Sequence, residues 1–536
     1  MRSVLFFILV GIYTLHAQQT VGLFSLTDAV QEGYTLFAPT ANSTTYLIDN
    51  CGREVHQWEA VTNPALSVYL LEDGSLLRTG RVTNVAFGGG GGSGGRVTKH
   101  NWDGTLVFDY QFSNDSLHQH HDIEPLPNGN FLVLLWDLRD EPTAQSLGRI
   151  PNQTPSGGVW AEAIWEIEPV DETDYNVVWK WSAWDHLVQN QSDALPNFGD
   201  PTDFPNRIDV NYRAQGGGQQ PSDWLHFNSI AYDPLRDEII TSSRFWDEIW
   251  VIDHNTTTQE AAGTAGDILY RWGNPEAYGR GDTGSVALFG QHDARVIPPG
   301  LPNAGKISVF SNGNGRPGGN TSSVDLLVPP LDANGNYVQP AAGAAFGPDA
   351  AEFAYPPGNF FAQRISGAHQ LPNGNFLITE GPAGRIFESD PAFNTVWEYI
   401  NPVGNDGPVE QGTAITANSV FRATRYAPDY PAFAGRDLTP SAPLELNPLP
   451  GDCSIVSASN PPELPDARVF PNPVGAELTV RFAQPHTGQI RVQNTLGQTI
   501  ARKRLNGSEL RFATNHWIPG WYFVTLDGRV VARVVK

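Results

Sequence analysis

Histidines and arginines near the middle of the chain are the residues best suited to chemistry. His226 and His292 each open a short apolar segment that runs into a turn. Each segment is followed by a β-rich run that carries an arginine, Arg244 in the first case and Arg316 in the second. An imidazole exchanges protons near neutral pH, and a guanidinium offers several N–H donors to an anion. Delivered together from strand ends, these groups favour chemistry on a small oxyanion.

Two further histidines are candidates for the same site. His121 lies seven residues before the turn of its segment, as His226 and His292 do, so we expect the three to converge. His369 lies only four residues before its turn, where Ser366 takes the equivalent place. A three-residue shift turns a strand side chain to the other face unless a bulge intervenes, so the spacing leaves the place of His369 open.

The cluster of His118, His120 and His121 offers ligand types that suit zinc or another divalent metal. Adjacent strand residues point to opposite faces, however, which argues against a single site. The segment 300–306 (GLPNAGK) spells most of a phosphate-binding loop, but Ile307 stands where Ser or Thr must bind magnesium, and a strand pattern follows. We therefore predict no cofactor and no bound metal.

The composition indicates a globular β-protein. A chain of 536 residues has room for one large domain and a smaller one. Its formal net charge of −24 disfavours nucleic acid and anionic membranes as partners, because both select basic faces. With 40% hydrophobic residues, 54 glycines and 42 prolines, the chain is expected to form a packed, turn-rich all-β fold.

Six segments share one pattern of apolar strand, turn, apolar strand, loop and an outer strand rich in Trp, Tyr or Ile. Five begin near Ser67, His120, His226, His292 and Ser366, and the sixth is split between segments that begin at Asn42 and at Ser419. Such repeats predict a six-bladed β-propeller, closed by the split blade, or a seven-bladed one if the insert 321–361 hides a blade. Inner strands of a propeller deliver their side chains to a central axis.

The N-terminus and the cysteines indicate export. Residues 1–17 are typical of a secretory signal peptide, with Arg2, an apolar run from Val4 to Leu15 and cleavage after Ala17. No apolar stretch is long enough for a transmembrane anchor, so we expect a soluble mature protein. The two cysteines, Cys51 and Cys453, are expected to form a disulfide in an oxidising compartment, with two unrelated buried thiols as the alternative.

The composition changes after Asn460. Residues 461–536 hold a linker and then alternating strands with glycine turns, which predict a small β-sandwich. The motifs PNPV, NTLGQ and GWYFV resemble the C-terminal sorting domain of the type IX secretion system. That resemblance implies the type IX machinery as a partner, passage through the periplasm to the cell surface or medium, and removal of the tail on the way.

Residues 18–460 resemble the bacterial arylsulfotransferases, also called aryl-sulfate sulfotransferases. The motifs are DWLHFNSIAYD, EIWVIDHNTTTQEAAG, ILYRWGNPEAYG, LFGQHDA and SGAHQLPNGNFLITEGPAGRIFE, within a likeness that runs from about Tyr34 to Ile455. The resemblance implies a six-bladed propeller with an axial funnel. It also implies transfer of a sulfuryl group from a phenolic sulfate ester to a phenol through a sulfated histidine, without a nucleotide sulfate donor.

The resemblance also implies roles for residues, by order along the chain. His226, His292, Arg316 and His369 are the expected catalytic residues, with His369 as the nucleophile. If that match fails, His226 or His292 takes the role. His121 and Arg244 are expected to bind substrate, and the candidates to receive an aryl ring are Trp224, Phe227, Trp246 and Tyr278.

Two other functions stay open from the sequence. One is a non-catalytic propeller on the cell surface that binds a ligand or glycan, since a fold does not fix a function. The other is a metal-dependent hydrolase or lyase that uses His121, His226 and His292.

Overall fold

The computed structural model describes residues 19–212, 222–449, 453, 467–494, 499–518, 520–526 and 529–536. The predicted signal peptide and most of the predicted linker after Asn460 lie outside the described residues. Within them the chain is built almost wholly from short β-strands joined by turns, as its glycine and proline content predicts.

The strands of the first half of the chain lie between Gly22 and Asp253. They are β1 (Gly22–Leu26), β2 (Tyr34–Pro39), β3 (Thr45–Ile48), β4 (Glu54–Trp58), β5 (Pro64–Leu70), β6 (Leu76–Arg81), β7 (Gly95–His100), β8 (Leu106–Gln111), β9 (Leu117–Pro125), β10 (Phe131–Arg139), β11 (Val159–Pro169), β12 (Tyr175–Ser182), β13 (Leu187–Val188), β14 (Ile208–Asp209), β15 (Phe227–Asp233), β16 (Glu238–Ser243) and β17 (Glu248–Asp253).

The second half continues the same pattern and ends in longer strands. They are β18 (Tyr270–Trp272), β19 (His292–Val296), β20 (Ile307–Ser311), β21 (Ser323–Leu327), β22 (Glu352–Tyr355), β23 (Gly367–Gln370), β24 (Phe376–Glu380), β25 (Arg385–Ser389), β26 (Thr395–Ile400), β27 (Val403–Gly404), β28 (Gly407–Pro408), β29 (Val420–Tyr426), β30 (Ala467–Phe470), β31 (Glu477–Asn494), β32 (Thr499–Ala513), β33 (Trp521–Leu526) and β34 (Arg529–Val535).

Helices are short in the described part of the chain. The α-helices are α1 (Glu141–Ser146), which begins where the Asp140 carboxylate accepts the Thr143 N–H, and α2 (Thr258–Ala261). Single 3-10 turns cover Pro151–Gln153, Ala183–Asp185, Pro201–Asp203, Thr264–Gly266, Pro275–Tyr278, Thr283–Ser285, Gly381–Ala383 and Pro431–Phe433. None of the described helices has the length and apolar character needed to cross a bilayer.

Within residues 22–426 the structure describes six antiparallel sheets of four or five strands. Five follow chain order: β5 to β8, β9 to β12, β15 to β18, β19 to β22, and β23 to β26 with β1 added at the outer edge. The sixth joins β29, from the end of this region, to β2, β3 and β4 from its start. This is the split pairing that the sequence predicts.

The first strands of these sheets form a closed cycle. β9 contacts β15, β15 contacts β19, β19 contacts β23, β23 contacts β29, β29 contacts β5, and β5 contacts β9. The pairing of β29 with β2 holds the two ends of the region together. The predicted disulfide is confirmed, with Cys51 and Cys453 bonded and their Cα atoms 5.7 Å apart.

Outer-strand tryptophans join neighbouring sheets. The indole N–H of Trp58 donates to the Asn101 carbonyl (3.1 Å), that of Trp181 to the Gly266 carbonyl (2.8 Å) and that of Trp397 to the Asn50 carbonyl. All three rings are buried. A buried tryptophan supplies a large apolar surface and needs a partner for its N–H, so a regularly repeated Trp in outer strands suits packing between sheets.

The C-terminal part is a single five-stranded sheet that curls into a half-barrel, not the two packed sheets of the predicted sandwich. β31 pairs along one edge with β32, and along the other edge first with β30 and then with β33, which pairs with β34. One 18-residue strand therefore serves both halves. Its curvature encloses a core of residues such as Leu478, Val492 and Phe512.

An ion-pair network at the middle of the first strands joins all six sheets. Arg422 of β29 donates to both carboxylate oxygens of Asp122 in β9 (2.8 and 2.6 Å), to Asp293 in β19 (3.3 Å) and to the Tyr69 hydroxyl in β5. Asp122 also accepts the N–H of Ile230 in β15 (3.2 Å), and Asp293 that of Ala368 in β23 (2.9 Å). We call Arg422, Asp122, Asp293 and Tyr69 the central network.

We expect Arg422→Met to destabilise the fold strongly. It leaves Asp122 and Asp293 buried with less compensating charge, and removing one partner of a buried pair typically costs roughly 3–5 kcal/mol. Thermal unfolding of the purified protein measures the loss. The triple change Arg422→Met, Asp122→Asn, Asp293→Asn should recover part of it, because neither buried carboxylate then carries a charge that lacks Arg422 as its partner. A single change that leaves the midpoint within a degree of wild type contradicts this role.

His254 predicts a pH-dependent contact between two sheets. Its ring lies 2.7 Å from Asp237 and 3.1 Å from Glu166 of β11. Burial alone lowers the pKa of His254, but these hydrogen bonds outweigh it and raise the pKa above its ordinary value. Burial likewise opposes ionisation of Glu166, yet hydrogen bonds from His254, Asn130 and Asn128 lower its pKa to about 2.

We therefore expect His254→Gln to lower the unfolding temperature most between about pH 4.5 and 6.5. Because the pKa of His254 is raised in the folded protein, its contacts stabilise the fold fully below the pKa of an unfolded histidine. This stabilisation is lost as the pH rises through the pKa of His254 in the folded protein. Because the pKa of Glu166 is lowered in the folded protein, its contacts stabilise the fold above the pKa of an unfolded glutamate. This stabilisation is lost as the pH falls through the folded pKa. Unfolding temperatures of both proteins across pH 3–9 test this, and a difference that grows steadily above pH 7 contradicts it.

Candidate functional site

A cavity of about 520 Å³ lies where the first strands begin. It takes residues from all six sheets, so it lies on their common axis. Leu66 is in β5 and His121 in β9, His226 directly precedes β15, and His292 opens β19; Ile365 and Ser419 precede β23 and β29. The remaining lining residues are Thr40, Arg81, Gly89, Gly91, Gly92, Asp223, Arg244, Phe245 and Arg364. We call this the axial cavity.

The backbone at its wall is unusually bent. Non-glycine residues with positive φ occur on or just before five of the six first strands: Leu66 (134°), His121 (48°), His226 (54°), Asp293 (53°) and Ser366 (90°). The pairing register slips beside His121, His226 and Asp293. Such backbone is costly and persists where the surrounding structure imposes it, often at functional sites. Here it re-aims side chains that a regular strand would direct elsewhere.

His226 is held by a carboxylate and leaves one nitrogen facing the cavity. Its Nδ1 lies 2.6 Å from Oδ2 of buried Asp223, so Nδ1 carries the proton and donates it to the carboxylate. Its Nε2 has no hydrogen-bond partner among the described residues. A carboxylate in this place fixes the tautomer and stabilises positive charge on the ring. The Nε2 lone pair is therefore available to a ligand.

His292 differs, because both of its ring nitrogens are occupied. Nδ1 donates to Asn312 Oδ1 (2.7 Å), and Nε2 accepts the N–H of Ile365 (3.1 Å). Burial, followed by the nearby Arg244 charge, lowers the pKa of His292 to about 3. It is a neutral, fixed wall of the cavity.

His121 completes the imidazole group. Its ring centroid lies 4.7 Å from that of His226, with the planes nearly perpendicular. Burial and the neighbouring histidines hold the pKa of His121 well below its usual value. Convergence of His121, His226 and His292, predicted from their common spacing, is present.

The glycine-rich segment lies directly over two of these rings. The N–H of His121 donates to the Gly92 carbonyl (2.8 Å). A Cβ added at Gly92 would lie 2.3 Å from His121 Nε2, and one at Gly91 would lie 3.2 Å from His226 Cε1. The segment is a close cover over these rings, and side chains at Gly91 and Gly92 would collide with them.

Three guanidiniums line the axial cavity, from Arg81, Arg244 and Arg364. Arg244 is largely buried, and its side chain has no hydrogen-bond or ion-pair partner in the described part of the chain. Burial lowers the pKa of Arg244, with Asp247 and Asp223 opposing that effect. Asp223 is the one carboxylate among the lining residues, and it is already paired with His226. The cavity is thus a cationic pocket in an acidic protein, suited to a small anion.

His369 lies elsewhere. It lines a second cavity at the opposite ends of the first strands, with Glu124 and Arg295 among its neighbours, and its Nε2 is 3.2 Å from Asp293. The structure does not bring it to His226 or His292. Ser366, just before β23, takes the position equivalent to that of the other histidines. His369 lies three residues beyond it, which is about 10 Å along a strand.

Several expected contact residues also lie outside the axial cavity lining. Arg316 is buried and donates to the hydroxyls of Ser311 (2.9 Å) and Ser323 (2.7 Å). The aromatic candidates pack in the core between sheets: Trp224, Phe227, Trp246 and Tyr278. In the segment DWLH, Asp223 and His226 line the axial cavity, whereas Trp224 between them packs in the core.

Other lining residues were not singled out from sequence. Phe245 packs its ring 4.4 Å from the His226 ring, and Asp223 orients His226. Asp223 precedes His226 by three residues, and this D-x-x-H spacing is the signal that could have identified it. Arg81 and the glycine cover come from a different sheet, and no local pattern marks them. In the described residues no group of three or more His, Cys, Asp or Glu side chains is arranged to hold a metal ion.

Comparisons with solved structures give distant likenesses. A protein of unknown function from Bacteroides caccae is 12% identical with a TM-score of 0.39, covering 74% of this chain and 98% of that one. The Pseudomonas aeruginosa periplasmic gluconolactonase is 14% identical with a TM-score of 0.34, covering 69% and 96%. These scores are too low to carry a conclusion. No curated protein matches the chain.

Family models give clear matches. The model described as secretion system C-terminal sorting domain matches residues 468–535, which confirms the predicted sorting tail and indicates export to the cell surface or medium. The model described as arylsulfotransferase (ASST) matches residues 28–325, more than half of the chain and the part that holds His121, His226, His292 and Arg244. The chain belongs to the arylsulfotransferase family.

Proposed function

We propose that this protein transfers a sulfuryl group from a phenolic sulfate ester to a phenol, and that its six ringed sheets are the blades of a six-bladed propeller. The observation that carries the proposal is the axial cavity, where unpaired Arg244 faces histidines with an available Nε2. The family match supports the reaction class. The substrates and the histidine intermediate belong to the proposal.

His226 is the nucleophile in this mechanism. Its Nε2 lone pair attacks sulfur, an N–S bond forms, and the S–O bond to the aryl oxygen breaks to release the phenol. Asp223 balances the positive charge that develops on the sulfated ring. An acceptor phenol then attacks sulfur, the N–S bond breaks, and His226 returns to its starting form, which gives ping-pong kinetics.

The other residues handle protons and charge. His121, beside His226, protonates the leaving phenolate and later takes the proton of the acceptor. Arg244, with Arg364 and Arg81, binds the sulfuryl oxygens, whose charge is spread in a loose transition state like that of phosphoryl transfer. His292 cannot attack, because Ile365 N–H occupies its Nε2. It shapes the pocket as a neutral wall.

The C-terminal tail serves export of the protein and takes no part in the transfer reaction. Residues 468–535 match a secretion sorting domain, so we propose that the type IX machinery recognises this region and that the propeller acts after the tail has been removed.

We expect His226→Asn to abolish acceptor-dependent transfer, by at least about 10³-fold, because the nucleophile is lost. His369→Asn is the matched control: it changes a histidine at the other end of the axis and should keep activity within about threefold. Release of 4-nitrophenol from its sulfate, with and without excess phenol, measures both. If His369→Asn lost the transfer activity and His226→Asn retained it, His369 would be the nucleophile instead. Binding without release by the wild type would favour a ligand-binding propeller.

Arg244 gives a separate prediction about the anion. Arg244→Gln keeps polarity but removes the charge, and loss of one such donor typically lowers kcat by about 10²–10³. Arg316→Gln is the control, because Arg316 contacts serines outside the axial cavity. Steady-state kinetics with several aryl sulfates measure both. Equal losses for the two variants would contradict a specific role of Arg244.

A further inference from the structure

A chain of three buried side chains leads away from the axial cavity. His121 Nδ1 lies 2.9 Å from His120 Nδ1, and His120 Nε2 lies 2.7 Å from Glu162 Oε2. Glu162 and His120 are fully buried, and His121 nearly so. Glu162 has no partner at Oε2 apart from this close approach, while its Oε1 accepts the Phe227 N–H (2.9 Å).

We infer that His120 and Glu162 form a proton relay behind His121, so that the proton exchanged with the phenols is stored on Glu162. This inference rests on the proposed transfer reaction and on His121 as its acid and base. No sequence pattern indicates it, because adjacent residues of a regular strand point to opposite faces. The positive φ of His121 and the register slip beside it let consecutive histidines meet.

The facing Nδ1 atoms restrict where protons can be. One of the two must carry hydrogen and the other must accept it. In the acid form, Glu162 O–H donates to His120 Nε2, His120 Nδ1–H donates to His121 Nδ1, and His121 Nε2–H faces the cavity. In the base form, Glu162 is a carboxylate, His120 carries hydrogen on Nε2, His121 carries it on Nδ1, and His121 Nε2 presents a lone pair.

The two forms differ by one proton, and the relay moves it without an imidazolium. When a phenolate leaves, His121 Nε2 gives up its proton, His120 passes its Nδ1 proton to His121, and Glu162 passes its proton to His120. When an acceptor phenol attacks, the same three transfers run backwards. Each half-reaction therefore leaves the relay ready for the next, and the net charge change falls on Glu162.

The surroundings suit this scheme. Burial holds the pKa of His120 at about 3 and that of His121 lower than its usual value, so neither ring stores a proton as a cation. Burial and the Asp223 charge raise the pKa of Glu162 well above its usual range, so the resting relay is the acid form that the first half-reaction needs. The other charged or titratable groups facing the relay are His226, Asp122, His118, His292 and Arg244. Trp136 stacks on His120 at 4.3 Å and helps to exclude water.

Glu162→Gln is a sharp test, because the amide fits the same contacts. The Phe227 N–H fixes its oxygen, so its NH₂ donates to His120 Nε2 and locks the relay with hydrogen on His121 Nε2. We expect little change for donors with a good leaving group such as 4-nitrophenol. For donors whose phenol has a pKa near 10 we expect a loss of at least about tenfold, since general acid catalysis contributes about 10²–10⁴.

The control is Glu166→Gln, which changes another buried carboxylate of β11 away from the cavity. It should leave the dependence of rate on leaving-group pKa unchanged. A second readout needs no turnover: ¹⁵N NMR of the His121 ring across pH, assigned with His121→Asn. The wild type should switch from Nε2–H to Nδ1–H as Glu162 ionises, and Glu162→Gln should not.

Equal losses for all donors in Glu162→Gln, or the same His121 tautomer behaviour in both proteins, would overturn the relay. Failure of the proposed reaction is distinguishable. In that case the wild type transfers nothing, while the tautomer switch still reports whether the relay exists.

Discussion

One buried arginine holds the ring of sheets together. Arg422 lies in β29, the inner strand of the split sheet. Its guanidinium donates to carboxylates of β9 and β19 and to the hydroxyl of Tyr69 in β5. Those carboxylates also accept backbone N–H groups from β15 and β23. A guanidinium offers five donors in a fixed plane, which lets a single residue bridge several strands. Charges buried this deeply need such complete pairing.

The central network also divides the axis into two cavities. On one side are His121, His226 and His292, and on the other are Glu124, Arg295 and His369. Burial raises the pKa of Glu124 to about 7, and burial together with Arg295 lowers that of His369. The two ends of the same strands therefore have different chemistry. The end that Arg244 lines carries guanidinium charge without a partner among the described residues, which suits a small anion.

The axial site depends on backbone that regular strands do not adopt. His121 and His226 have positive φ, and a glycine-rich cover approaches within van der Waals distance of their rings. Hydrogen bonds of Nδ1 with Asp223 and with His120 then leave Nε2 of His226 and of His121 without a partner among the described residues. The acidic surface of the protein and its cationic axis are compatible because Arg244, which is largely buried and has no hydrogen-bond or ion-pair partner among the described residues, acts at short range in a low dielectric. Distant surface charges are screened.

The sequence alone determined the repeated strands, the split sheet, the cysteine pair, the sorting tail and the common spacing of three histidines. Local patterns carry this information, since strand period, turn residues and repeat length are properties of neighbouring residues. The tertiary structure decided which side chains meet. It separated His369 from His226, withdrew Arg316 and Trp224 into packed surroundings, and brought Asp223, Arg81 and Phe245 to the cavity. It also joined His120, His121 and Glu162, because bulges and contacts between sheets depend on how the whole ring closes and not on any one segment.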